Sequence, residues 1–294
     1  MAGLGVLLLV GVVLTVRWNG ARYLPAGPPA DDSLRLVATR YARGVAIALV
    51  GGFWAGALVT GPSVRLIMRL LAVTAGDSAQ GRLTEAEEVV GQVDLDGTIG
   101  LYVFGGLLPA LVSGLLYVLV RRWLPAGRWT GATFGVLHLL VAATRIDPLR
   151  PDNPDFDLVG PGWLSVTTFG LLAVVHGMTV VAIANRYSAA LSPGADRRRL
   201  AVPLVVPAAF VVLTIMVPAG LLVGLGVALV VSRVGPVVDA LRSHRVTVLG
   251  RVAVAGLALA LLPGAVTDLR DVVMRDDAAA SSAPDLGEWT RLSA

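Results

Sequence analysis

Eight mostly apolar runs, at 2–16, 44–61, 99–120, 131–144, 162–184, 200–216, 218–232 and 246–266, alternate along the chain with short polar stretches. A helix needs about 20 apolar residues to cross roughly 30 Å of hydrocarbon. The pattern therefore predicts an all-α fold: a polytopic transmembrane helix bundle of about eight spans over residues 1–275, followed by a disordered polar tail at 276–294. The first run has no positive residue before it and no small-residue cleavage site before Arg17, so it reads as a retained first helix. Residues 200–232 are too long for an ordinary span and barely enough for two. The Pro218-Ala219-Gly220 turn favours a hairpin, with a single tilted span as the alternative.

The polar stretches are of two kinds. Under the eight-span reading, segments 17–43, 121–130, 185–199 and 233–251 hold 16 arginines and only four acids, Asp31, Asp32, Asp196 and Asp239. The intervening segments 62–98, 145–161 and 267–294 hold eight arginines and 16 acids. Positive residues in short loops stay in the cytoplasm. The expectation is a multi-pass plasma-membrane protein with both termini extracytoplasmic.

Composition agrees: 55% of residues are hydrophobic, 15% charged, and the mean hydropathy is +0.76. The net charge of +4 lies in short segments flanking apolar runs and forms no long basic tract, which argues for membrane orientation and against nucleic acid. The absence of cysteine removes disulfides, thiolate metal sites and cysteine nucleophiles. All 24 basic residues are arginine, so the lysine of a P-loop or of a Schiff-base enzyme is missing too. No cofactor is expected.

The first acidic segment begins with Arg65 and Arg69, four apart on one helical face among apolar residues, a spacing suited to interfacial lipid contacts. Thr84 and Glu87 have the spacing of a capping box and predict a short helix from about 85 to 92. In the second segment, Asp152, Asn153, Asp155 and Asp157 place hard oxygen ligands within six residues. Calcium could be held there. The bland alternative is Asx-turns with ion pairs to Arg145 or Arg150, and the spacing is not that of an EF-hand.

Within the apolar runs, His138 and His176 fall in consecutive spans and read as antiparallel neighbours. They could relay protons or ligate haem, but an interhelical hydrogen bond is the simpler role. No span carries a buried carboxylate, which weighs against proton-coupled transport. Gly52/Gly56, Gly131/Gly135 and Gly220/Gly224, with the row Gly106, Ala110 and Gly114, suit close helix packing, within the chain or across a homodimer.

Glu87-Glu88, then Phe134 to His138, then His176 resemble, in order, the glutamate-pair, FxxxH and histidine motifs of CPBP-type intramembrane proteases. Gln92 stands where that family has arginine, and Val180 where it has a polar residue. The resemblance implies a metal-dependent site built from Glu87, Glu88, His138 and His176. More broadly, residues 82–91, the Arg121 to Pro125 turn and the Asp147 to Phe156 loop look like uncharacterised actinobacterial multi-pass membrane proteins. That resemblance implies membrane location and brings no activity. The reading favoured is a non-enzymatic transporter-like or accessory component of the lipid bilayer, with a second copy or another membrane protein left open as partner. The intramembrane protease and an extracytoplasmic sensor with an acidic cation site are the alternatives.

Overall fold

The computed structural model describes residues 2–25, 33–191, 197–213, 216–233 and 243–281. Among these, every extended regular element is a helix. They are α1 (Ala2–Trp18), α2 (Leu34–Ala55), α3 (Gly61–Thr74), α4 (Leu95–Gly100), α5 (Leu108–Val120), α6 (Thr130–His138), α7 (Gly162–Ala190), α8 (Arg197–Leu213), α9 (Met216–Ser232) and α10 (His244–Ser281). Four continuous helices are long and apolar enough to cross a membrane: Leu34–Thr74, Leu95–Val120, Gly162–Ala190 and His244–Arg275. α1, Thr130–Ala143 and the Gly220–Ser232 part of α9 are apolar but shorter.

Two of the long helices are held together by π turns. Gly56–Thr60 joins α2 to α3, and Leu101–Leu107 joins α4 to α5. Each precedes a proline, Pro62 or Pro109, near the start of the next helix. A proline inside a helix lacks its N–H and crowds the carbonyl four residues back; a widened turn absorbs both without breaking the rod. The helix predicted to end at 61 thus runs unbroken for 41 residues, about 60 Å at 1.5 Å per residue. A third π turn, Leu139–Ala143, continues α6.

α2 and α7 form the centre. α2 packs on α5, α7, α8 and α9, and α7 on α1, α3, α5, α6 and α10 as well. Glycine makes the closest approaches. A Cβ on Gly52 would strike the Ala110 carbonyl, and one on Gly114 the Ala48 carbonyl, across the α2–α5 crossing. Gly135 and Gly177 meet backbone to backbone between α6 and α7. These small residues are spent on packing within the chain, where dispersion at short range replaces the hydrophobic drive that lipid removes. Gly220 and Gly224 make no such seam: a Cβ on Gly220 meets nothing within 4 Å, and Gly224 faces the Tyr41 hydroxyl.

Other expectations need adjustment. The 200–232 run is two helices, both packed on α2, with residues 214–215 between them outside the described set. Pro218 sits in the first turn of α9, where a helix tolerates a missing N–H, and not in a turn between helices. α10 continues to Ser281, so the start of the anticipated tail is helical, and residues 282–294 lie outside the described set.

The helix expected at 85–92 does not form. Leu83 and Val89 make an antiparallel bridge, the Thr84 amide donates to the Glu88 carbonyl at 2.9 Å, and Glu87 turns the chain at φ 60°. Thr84 accepts from the Glu88 amide at 3.2 Å and caps nothing. One short 3-10 turn, Asp77–Ala79, precedes this hairpin.

Candidate functional site

Two histidines and their hydroxyl partners come together where the π turns lie. Thr60, last residue of the first π turn, brings its Oγ1 within 2.7 Å of His176 Nδ1 on α7. Ser113 Oγ on α5 lies 2.6 Å from His138 Nε2 on α6. His138 Nδ1 is 3.1 Å from the Phe134 carbonyl, an acceptor only, so Nδ1 carries the proton; in the neutral ring Nε2 then accepts from the Ser113 hydroxyl. The two imidazoles sit edge to face with centroids 5.4 Å apart, and Phe134 covers His138 at 4.5 Å. Thr60, Ser113 and His176 are all buried.

The π turn explains part of this arrangement. Widening a helix leaves carbonyls without their ordinary partners. Thr60 Oγ1 lies 3.4 Å from the Ala55 carbonyl, and the Tyr102 hydroxyl donates to the Ala57 carbonyl. The hydroxyl that completes the turn is the same one that holds His176. Four helices are thereby joined through one small polar network surrounded by apolar side chains.

The carboxylates of the sequence lie elsewhere. Glu87 and Glu88 belong to the hairpin, and Glu88 lines a small cleft with Arg65, Arg69 and Thr84. Arg69 donates to the Gly91 carbonyl at 3.0 Å, so this face of α3 holds the hairpin. Among the described residues no group of three His, Cys, Asp or Glu side chains is placed to hold a metal ion. The glutamate pair and the histidine pair are therefore separate features, and the protease-like constellation is not assembled.

Asp152, Asn153, Asp155 and Asp157 do not converge on a common centre either. Arg150 makes a two-pronged pair with Glu85 and reaches Asp152 at 3.2 Å. Asp155 Oδ1 accepts from the Glu85 amide at 2.7 Å, and Asn153 Oδ1 from the Asp155 amide at 2.9 Å. Arg275 of α10 binds the Asn153 carbonyl at 3.1 Å and Asp157 at 3.7 Å. Arg145 pairs with Asp268 at 3.6 Å. Burial pushes the Asp147 and Asp155 carboxyls up from their ordinary range; Arg150 opposes this at Asp147, and chiefly the Glu85 amide at Asp155. The segment is a cap, tied to the hairpin on one side and to α10 on the other.

At the other end, the chain after α1 is tucked under the bundle. The Tyr117 hydroxyl donates to Asn185 Oδ1 at 2.6 Å, and Asn185 Nδ2 donates to the Ala21 carbonyl at 2.8 Å. Arg43 reaches the Leu24 and Ser188 carbonyls at 2.7 and 2.9 Å, and Arg121 lies 3.5 Å over the Tyr23 ring. Beside this plug, α1, α2, α7 and Pro203 of α8 line an apolar groove.

Sequence reasoning singled out the histidines and passed over Thr60 and Ser113. Hydroxyls interrupting apolar runs were the available signal. The π turns, which aim Thr60, had only Gly-Pro and Leu-Pro dipeptides to announce them. Comparison of this chain with protein-family models, with curated proteins and with solved structures gave no match.

Proposed function

We propose that this chain is a plasma-membrane protein of about eight spans, with both termini outside, acting as a non-enzymatic transporter-like or accessory component. The observation that carries this reading is the polar core at the π turns. Thr60–His176 and Ser113–His138 satisfy one another between glycine-packed helices, with no carboxylate among the described residues brought to them. A hydrolytic site needs a nucleophile or activated water, a base within hydrogen-bond reach and access for substrate. Here the imidazoles are engaged by hydroxyls, and their role is to lock helices at the π turns. The arginine distribution supports the orientation, and the likeness to actinobacterial multi-pass proteins points to a bacterial inner membrane.

The test is metal content of the detergent-purified protein alongside His138→Ala/His176→Ala. The proposal expects no stoichiometric metal and a loss of thermal stability equivalent to about 1–2 kcal/mol for broken interhelical hydrogen bonds. One equivalent of metal, lost in the double variant, would sink the non-enzymatic reading.

A further inference from the structure

The apolar groove beside the α1–α7 contact has a volume of about 510 Å³, within the range of small-molecule sites. Val10 and Leu14 of α1 form one wall, Trp54 of α2 and Leu58 of the π turn that follows it the other, and Trp18 and Arg186 stand at its arginine-rich end. From Val10 to Trp18 it extends about 12 Å along α1 at 1.5 Å per residue. Trp54 spends its N–H on the Pro203 carbonyl at 2.9 Å, so it offers the groove only its apolar faces. Arg186 is exposed and meets no carboxylate among the described residues.

We propose that this groove holds one acyl chain of an anionic phospholipid, with the lipid phosphate on Arg186. The chemistry divides along the groove: an apolar trench inside the hydrocarbon, then an aromatic and a cationic side chain at the depth where headgroups begin. A zwitterionic lipid presents a phosphate too, but its own ammonium compensates that charge, whereas an anionic headgroup leaves the phosphate to the guanidinium. A second copy of this chain, side by side in the same orientation, would set arginine against arginine, because the acids among the described residues all lie in segments 62–98, 145–161 and 267–281, at the opposite end. The site rests on the membrane reading above, but its failure would leave that reading intact, since orientation and metal content are measured independently of lipid preference.

The experiment is native mass spectrometry of the full chain released from micelles containing equimolar phosphatidylglycerol and phosphatidylcholine. Retention of phosphatidylglycerol should exceed that of phosphatidylcholine by roughly fivefold, the preference one arginine supplies for a net anionic headgroup over a zwitterionic one. Arg186→Gln should equalise the two lipids and Arg186→Lys should keep the preference. Val10→Trp, at a position 43% exposed and outside the packed core, should fill the trench and lower retention of both. Equal retention by the parent chain, a preference that survives Arg186→Gln, or a Val10→Trp variant that retains lipid normally would each overturn the site. So would a dimer that Val10→Trp dissolves, which would make a second copy the occupant.

Discussion

The two ends of the bundle use arginine in opposite ways. At the acid-rich end, Arg145, Arg150 and Arg275 are spent on carboxylates of neighbouring segments, and the loops they tie form a cap over a buried apolar cluster that includes Leu149, Phe156 and Val272. At the arginine-rich end, Arg43 reaches carbonyls, Arg121 a tyrosine ring, and Arg186 faces outward. Exposed ion pairs contribute little stability each. What the acid-rich end gains is geometry, because three separate segments are held in one register. At the other end Arg43 and Arg121 tie the chain through carbonyls and a ring, and Arg186 alone of the three is left outward.

That contrast can be broken first at the cap's apolar anchor. Leu149 is fully buried, and its amide donates to the Ala143 carbonyl at 2.7 Å. Leu149→Ala should cost about 3 kcal/mol, read as a lowered melting temperature in detergent, with loop 145–161 losing amide protection first. At the opposite end Asn185→Ala strips partners from the buried Tyr117 hydroxyl and the Ala21 carbonyl. It should cost about 1–2 kcal/mol and release residues 21–24 to protease while the cap keeps its protection.

The smallest effect is a pH response confined to the cap. Asp147 and Asp155 have raised folded-state pKa values, so the folded cap holds those protons at higher pH than the unfolded chain does. Lowering pH from neutrality through those raised values toward the ordinary carboxylate range therefore stabilises the cap. Amide exchange at 147–157, corrected for intrinsic rates, should slow as pH is lowered from neutrality toward the ordinary carboxylate range, with no matching change at 21–24.

Much of the helical skeleton was legible in the apolar runs: 2–16, 44–61, 99–120, 162–184, 218–232 and 246–266 each lie within a helix, whereas 131–144 outruns its helix by one residue and 200–216 crosses residues outside the described set. The hairpin was not. Thr84 and Glu87 carry a helix-start signal, but an isolated helix of that length is marginal. Contacts from distant residues, Arg150 to Glu85, Asp155 to the Glu85 amide and Arg69 to the Gly91 carbonyl, reward a turn instead. The histidines stood out as rare polar residues in apolar runs. Their hydroxyl partners did not, because Thr60 and Ser113 become partners only once the π turns set the rotation of α2–α3 and α4–α5.

Central to this account is that the two ends face opposite sides of a membrane, and the cysteine-free sequence allows a direct measurement. Glu87→Cys in the exposed hairpin and Ala126→Cys in the exposed turn between α5 and α6 should be treated with a membrane-impermeant maleimide in intact cells. The account predicts labelling of Glu87→Cys in intact cells and of Ala126→Cys only after lysis. Labelling of both in intact cells, or the reverse pattern, would contradict it.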